Sequence, residues 1–217
     1  MKYTHLFFDL DGTVTNSAPG ITHSVQYALK KSGIQPPPAD QLHGFIGPPL
    51  TWGFSHFFGM NEEESKQAVV YYREYYRAGG MLECDVYDGI PKVLEKLNEM
   101  GYVCVLATCK PHIYAKPILQ NFGLDKYFSL VSGPELDGTR GEKHEVIAHA
   151  MEILGLTDPK KILMIGDRDN DVLGSAHHGI DCAGVLWGFG SEDELTGAGA
   201  KLLCKTPAHL LEVLSSL

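Results

Sequence analysis

The sequence predicts an α/β fold: a doubly wound parallel sheet carrying an inserted α-helical domain. Three observations lead there. From Asp88 to the C-terminus, short apolar runs alternate with segments of helical spacing, the pattern of strands joined by crossover helices. Near the N-terminus another apolar run, Leu6-Phe7-Phe8, ends in Asp9-Leu10-Asp11-Gly12-Thr13, as a buried strand bounded by a turn does. Between these regions lies a stretch with helical periodicity and no convincing strand. The expected organisation is a core of residues 1–15 and 85–217, with a helical cap of residues 16–84 inserted after the first strand.

Taken in order, Ile21, Val25, Ala28 and Leu29 mark one face of a helix over 17–31, which Gly33 stops before the rigid turn Pro36-Pro37-Pro38. A short helix around Gln41, the loop GFIGPPL and a helix over 51–58 follow. Asn61 ahead of Glu62, Glu63 and Glu64 is a helix start, a capping side chain followed by carboxylates at the positive end of the macrodipole; Gly79-Gly80 ends that helix. The alternation then runs helix 90–100, strand 102–106, helix 113–122, strand 128–131, helix 142–154, strand 161–165, helix 170–178 and strand 181–185. Leu202 and Leu203 precede a last helix from Pro207.

A chain of 217 residues, 44% hydrophobic and 21% charged, fits one large globular domain or a core with an insertion. Its net charge of −9 argues against nucleic-acid polymers and anionic membranes as partners. A small anionic substrate stays compatible, because a divalent cation and one or two lysines outweigh the global field inside a pocket. No apolar run approaches the roughly 18 residues of a membrane span. With an apolar strand within a few residues of Met1, no signal peptide is expected. The five cysteines are scattered with no C-x-x-C pair, Cys104 and Cys182 lying in apolar runs as buried thiols, so a reducing cytoplasm is the expected compartment.

In an open α/β sheet, ligands bind outside the carboxyl ends of the strands. Asp9 and Asp11, two residues apart in extended chain, leave on the same side there. Two carboxylates at that mouth repel unless a cation sits between them, and Mg²⁺ is the expected ion because it takes carboxylates together with substrate phosphate oxygens. A calcium loop is excluded by spacing: counted from Asp9, its glycine position holds Val14 and its glutamate position holds Gly20.

Asp-Leu-Asp-Gly-Thr after an apolar strand resembles the first signature of the haloacid-dehalogenase-like superfamily, and the longer run DLDGTVTNSAPGI resembles its phosphoglycolate-phosphatase-like branch. Three later motifs, in the family's order, extend the resemblance over nearly the whole chain. In VCVLATCKP a strand ends at Thr108 ahead of a helix opening at Pro111, a place where hydroxyl and N–H groups attract anions. The resemblance implies that Thr108 binds phosphate, with Cys109 contributing its N–H and not acting as a nucleophile. In GTRGEKHEVIAHAM, Lys143 matches the lysine that neutralises nucleophile and phosphate; Lys110 and Lys116 are rivals for that role, Lys110 the nearer. In KILMIGDRDNDV a buried strand ends in Asp167, and Asp171 follows one helical turn later, a spacing that suits a metal ligand and its supporting carboxylate and passes over Asp169. Val14 and Asn16 stand where relatives often carry Leu and Asp.

The resemblance implies a Mg²⁺-dependent phosphatase of small phosphate monoesters. Asp9 is expected to attack phosphorus and form an aspartyl-phosphate, and Asp11 to protonate the leaving oxygen and then take a proton from water. Mg²⁺ is expected on the Asp9 carboxylate, the Asp11 backbone carbonyl and Asp167. The cap is expected to act as a lid and to select substrate through Gly47 and Pro48 of GFIGPPL and through Arg73. Among sister chemistries, Asp11 disfavours a dehalogenase, the absence of lysine from 42–58 disfavours a phosphonatase, and Pro19 and Ile21 replace the Glu and His of sugar phosphomutases. A phosphate-binding regulatory module of the same fold is the alternative from another class. The substrates implied are 2-phosphoglycolate or a nucleoside 5′-monophosphate. The cap aromatics (Phe45, Trp52, Phe54, Phe57, Phe58, Tyr71, Tyr72, Tyr75 and Tyr76) either stack on a base or form the cap's own core.

Overall fold

The computed structural model describes residues 2–217. They divide into two compact units, one made of the chain up to Thr15 together with Val86–Leu217, the other of Asn16–Asp85. The chain passes between them through two short paired strands, β2 (Thr15–Asn16) and β3 (Asp85–Val86), neither anticipated from two-residue apolar signals.

The first unit is built on a six-stranded parallel sheet. Its strands are β1 (His5–Phe8), β4 (Val103–Ala107), β5 (Leu130–Ser132), β6 (Ile162–Gly166), β7 (Asp181–Val185) and β8 (Leu202–Cys204), in the spatial order β5-β4-β1-β6-β7-β8. Helices α4 (Ile90–Glu99), α5 (His112–Asn121), α6 (Lys143–Leu154), α7 (Asp169–Ala176), α8 (Glu192–Ala198) and α9 (Pro207–Ser215) connect and flank these strands. Strands covered on both faces read as unbroken apolar runs, and every residue of β6 is buried. Phe7, Val105 and Met164 form a core layer with Val146, Ile147 and Ala150 of α6 and Val172 of α7. Ile90, Val93, Leu94 and Leu97 are the buried stripe of α4.

The second unit contains α1 (Ala18–Lys31), α2 (Leu50–Phe58), α3 (Glu62–Arg77) and a 3₁₀ segment over Ala39–Phe45. Asn61 begins α3 through a reciprocal box: its side chain accepts from Glu64 N at 3.0 Å, and the Glu64 carboxylate accepts from Asn61 N at 2.9 Å. Phe45 and Phe54 meet edge to face with ring centroids 5.0 Å apart, and Tyr72 stacks on Tyr76 at 5.3 Å.

Three features depart from the sequence-based expectations. The fifth strand starts at Leu130 and not at Phe128, because a 3₁₀ turn over Asp125–Tyr127 delays entry to the sheet. Pro111 precedes α5 as its cap residue and does not occupy the first helical position. Helix α8 was not expected, although Ser191 caps it by accepting from Glu194 N and three acidic residues open it. Among the described residues no helix is long and apolar enough to cross a membrane.

Candidate active site

Strand β1 lies at the point where the winding of the sheet reverses. From it the chain builds β4 and β5 on one side, then returns to build β6, β7 and β8 on the other. Such a reversal opens a crevice at the carboxyl ends of the central strands. The register pairs Phe8 with Leu106 on one side and Ile165 on the other, so Asp9, Thr108 and Asp167 leave the sheet at nearly one level. The Asp9 N–H donates to Ile165 O at 2.9 Å and fixes that level.

Asp9, Asp167 and Asp171 are buried and bring one carboxylate oxygen each within 4.8 Å of the others. Lys143, the first residue of α6, reaches them with its ammonium 2.7 Å from Asp9 Oδ1 and 2.7 Å from Asp171 Oδ1, and it also donates to Ala107 O at 3.0 Å. Its path is open because α7 has Gly174 there: a Cβ at that residue would lie 2.7 Å from Lys143 Cγ. The Glu145 carboxylate accepts from Glu142 N at 3.0 Å, which sets the start of α6 and hence the lysine's origin.

Asp167 is held by both oxygens: Thr13 Oγ1 donates to Oδ1 at 3.2 Å and Phe189 N–H donates to Oδ2 at 2.8 Å. Asp11 pairs with Lys110, its Oδ1 2.9 Å from the ammonium. Thr108 Oγ1 accepts from Lys110 N at 3.1 Å, while the Thr108 N–H is committed to Ser132 O at 3.1 Å. Of the N–H groups at that turn, Thr108's is therefore not available to an anion.

A sequence profile of the haloacid dehalogenase-like hydrolases matches residues 6–185. The chain belongs to this family. A curated relative, the 5′-nucleotidase of Pseudomonas aeruginosa, is 44% identical over 216 residues, covering 100% of this chain and 97% of that protein. The tyrosine-protein kinase PtkA of Mycobacterium tuberculosis is 39% identical over 188 residues, 87% of this chain, which spans 64% of that protein's length. A crystal structure described as a predicted phosphatase from Clostridium acetobutylicum superposes with a TM-score of 0.95 at 41% identity, covering 100% of both chains.

In this haloacid dehalogenase-like hydrolase the cluster is electrostatically incomplete. Three buried carboxylates face the single ammonium of Lys143. Burial, then the charges of Asp171 and Asp9, pushes the Asp167 carboxyl well above its ordinary range. Burial likewise raises Asp171 to about 6 against the pull of Lys143. Burial alone would lower the Lys143 ammonium, but Asp171 and Asp9 hold it well above its usual value. Hard oxygen donors with two uncompensated negative charges fit a small divalent cation, and Mg²⁺ has that chemistry. Cys109 is pushed up to about 12 by burial, so its thiol is not poised as a nucleophile.

Of the three lysines weighed from the sequence, Lys143 meets Asp9, Lys110 meets Asp11, and Lys116 lines a separate cleft with Asp125 and Phe128. Gly47, Pro48 and Arg73 lie in the helical unit. There Phe45, Phe54, Tyr72 and Tyr76 are buried as core, whereas Trp52 and Phe57 are 46% and 47% exposed.

Sequence reasoning missed the loop after β7. Phe189 supplies an N–H to Asp167, and its neighbours are glycines because the backbone comes so close: a Cβ on Gly188 would lie 2.4 Å from Asp167 Cβ, and one on Gly190 1.9 Å from Asp167 O. Trp187 ties the same loop to the first motif, its indole N–H donating to Thr13 O at 3.0 Å. The available signal was the pair of glycines around an aromatic residue just past a strand end.

Proposed function

We propose that this hydrolase is a Mg²⁺-dependent phosphomonoesterase that moves the phosphoryl group first to Asp9 and then to water. The observation that carries this is the Lys143 ammonium, buried and set 2.7 Å from both Asp9 and Asp171 beside the Asp167 carboxylate. Lys143 holds the Asp9 carboxylate in place at 2.7 Å, as an in-line nucleophile requires. Thr108 and the N–H groups beside it bind the non-bridging phosphate oxygens. Asp11, paired with Lys110, protonates the leaving oxygen and then takes a proton from the attacking water. Asp9, the Asp11 backbone carbonyl and Asp167 would hold Mg²⁺, which neutralises charge developing on the phosphoryl oxygens, and Asp171 supports them.

Similarity to the 5′-nucleotidase favours nucleoside 5′-monophosphates as substrates, and the motif resemblance makes 2-phosphoglycolate the competitor. On the family resemblance, Asn16–Asp85 is the substrate-selecting cap, with Gly47, Pro48 and Arg73 as substrate residues. The five free cysteines suit a reducing cytoplasm.

The test is release of inorganic phosphate from p-nitrophenyl phosphate and from a panel of esters, with and without a chelator. Mg²⁺-dependent hydrolysis ranking nucleoside 5′-monophosphates highest in kcat/KM is expected. Asp9→Asn should lower turnover by about 10³-fold or more. Full activity in Asp9→Asn would remove the nucleophile assignment, and transfer of phosphate to a tyrosine peptide in place of water would replace hydrolysis with the chemistry in the kinase relative's name.

A further inference from the structure

We propose that Lys110 is the positioning residue for Asp11, holding its carboxyl so that the proton is presented to the leaving oxygen. The inference rests on the proposed transfer of phosphate to Asp9. Lys110 stands two residues beyond Thr108 and sets its ammonium 2.9 Å from Asp11 Oδ1, the two side chains being 5% and 14% exposed. Its backbone is fixed on both sides. The Lys110 N–H donates to Thr108 Oγ1 at 3.1 Å, and a Cβ on Gly133, just past β5, would lie 2.5 Å from Lys110 O. Ordering a long flexible side chain costs entropy, and a buried ion pair seldom surpasses apolar side chains in stability. The pair is arranged for chemistry.

An ammonium has donors and no acceptor, so Asp11 Oδ1 accepts from Lys110. When Asp11 carries a proton, the hydrogen is therefore left to Oδ2. In the first step an Asp9 oxygen bonds to phosphorus while the bond from phosphorus to the ester oxygen breaks. The bonding pair stays on the departing oxygen, the proton on Oδ2 moves to it, and Asp11 is left a carboxylate. That new charge develops against the Lys110 ammonium, and a charge-assisted hydrogen bond is stronger than a neutral one. The contact thus tightens towards the transition state, which is the kind of contact that raises the rate. The two buried lysines divide the work. Lys143, 2.7 Å from Asp9, serves the attacking oxygen, and Lys110 serves the departing one.

The test is kcat/KM for p-nitrophenyl, phenyl and benzyl phosphates with Mg²⁺ present, in the unaltered protein, Lys110→Met and the control Lys116→Met. These esters are alike in size, and kcat/KM closes at departure of the leaving group, so later hydrolysis of phospho-Asp9 does not enter it. A nitrophenolate leaves without a proton and a benzyl alkoxide does not. The Lys110→Met loss should therefore grow along the series, reaching about 10²-fold for benzyl phosphate and staying about tenfold smaller for p-nitrophenyl phosphate. Lys116→Met should leave all three unchanged. In an Asp11→Asn background, Lys110→Met should lower benzyl phosphate hydrolysis by about twofold at most, because the two residues act as a unit. That double variant strands no buried carboxylate, so it decides if Lys110→Met alone fails to fold. Equal losses for the three esters, or the full further loss in the double variant, overturn the positioning role and leave transfer to Asp9 standing. No hydrolysis by the unaltered protein overturns the proposed function and this role with it.

Discussion

The two units bury different things. The α/β unit holds Asp9, Asp167, Asp171, Lys110 and Lys143 out of water, five ionisable side chains around one crevice. In the helical unit the buried polar side chains are hydroxyls, and Thr22, Ser24 and Ser65 spend their donors on the carbonyls of Ala18, Gly20 and Met60. Buried charge rarely adds stability over a well-packed apolar replacement, whereas a buried hydroxyl bonded to a nearby backbone carbonyl costs little. The contrast separates a region arranged for chemistry from one arranged for packing.

Substitutions sharpen the contrast, beginning with the largest expected effect. Lys143→Met leaves Asp9 and Asp171 without their cation, and breaking such a pair from one side should cost about 3–5 kcal/mol, with loss of hydrolysis. Urea unfolding with parallel phosphate release measures both; retention of either would mean the ammonium is not what organises the cluster. In the helical unit, Phe54→Ala should cost about 3–5 kcal/mol through a cavity beside Phe45. A loss under about 1 kcal/mol would show that this packing is loose.

Gly188→Ala forces a methyl against Asp167 and should weaken apparent Mg²⁺ activation about 10–100-fold without unfolding the protein. The readout is rate against Mg²⁺ concentration, and an unchanged midpoint would release the Phe189 loop from any part in positioning Asp167. Asp167→Asn should abolish activity yet raise the melting temperature of chelator-treated protein by about 2–4 °C at neutral pH. A carboxyl whose folded-state value lies above its unfolded value near 3.8 favours folding when protonated. That contribution is present below the unfolded value and disappears as pH rises through the folded one, so the variant's advantage should vanish near pH 4. The smallest effect is Asn61→Ala, which removes the α3 cap for about 1 kcal/mol.

What was legible follows from locality. Strand ends, the Asn61 cap and the alternation of strands with helices are written in neighbouring residues, and the sheet register then makes Asp9, Thr108 and Asp167 adjacent. The pairing of Lys110 with Asp11 was not legible, because it depends on how far β4 and β1 run before their turns. Asp171 was legible as a carboxylate supporting Asp167, but its direct pairing with Lys143 was not, because that depends on how α6 packs on α7. The Phe189 N–H belongs to the backbone, and no side-chain pattern announces it. Helix α8 was not legible despite its local Ser191 cap, because a seven-residue helix whose one buried residue is Leu195 carries no apolar periodicity.

The central position of β1 has a kinetic consequence. Thr4 meets Lys161, 157 positions later, so during synthesis β1 waits for a long stretch of chain before its second neighbour exists. Synthesis therefore leaves an apolar edge unpaired for several seconds. Refolding from denaturant should be slow and prone to aggregation for the same reason, with the locally wired helices of Asn16–Asp85 regaining structure before the sheet closes.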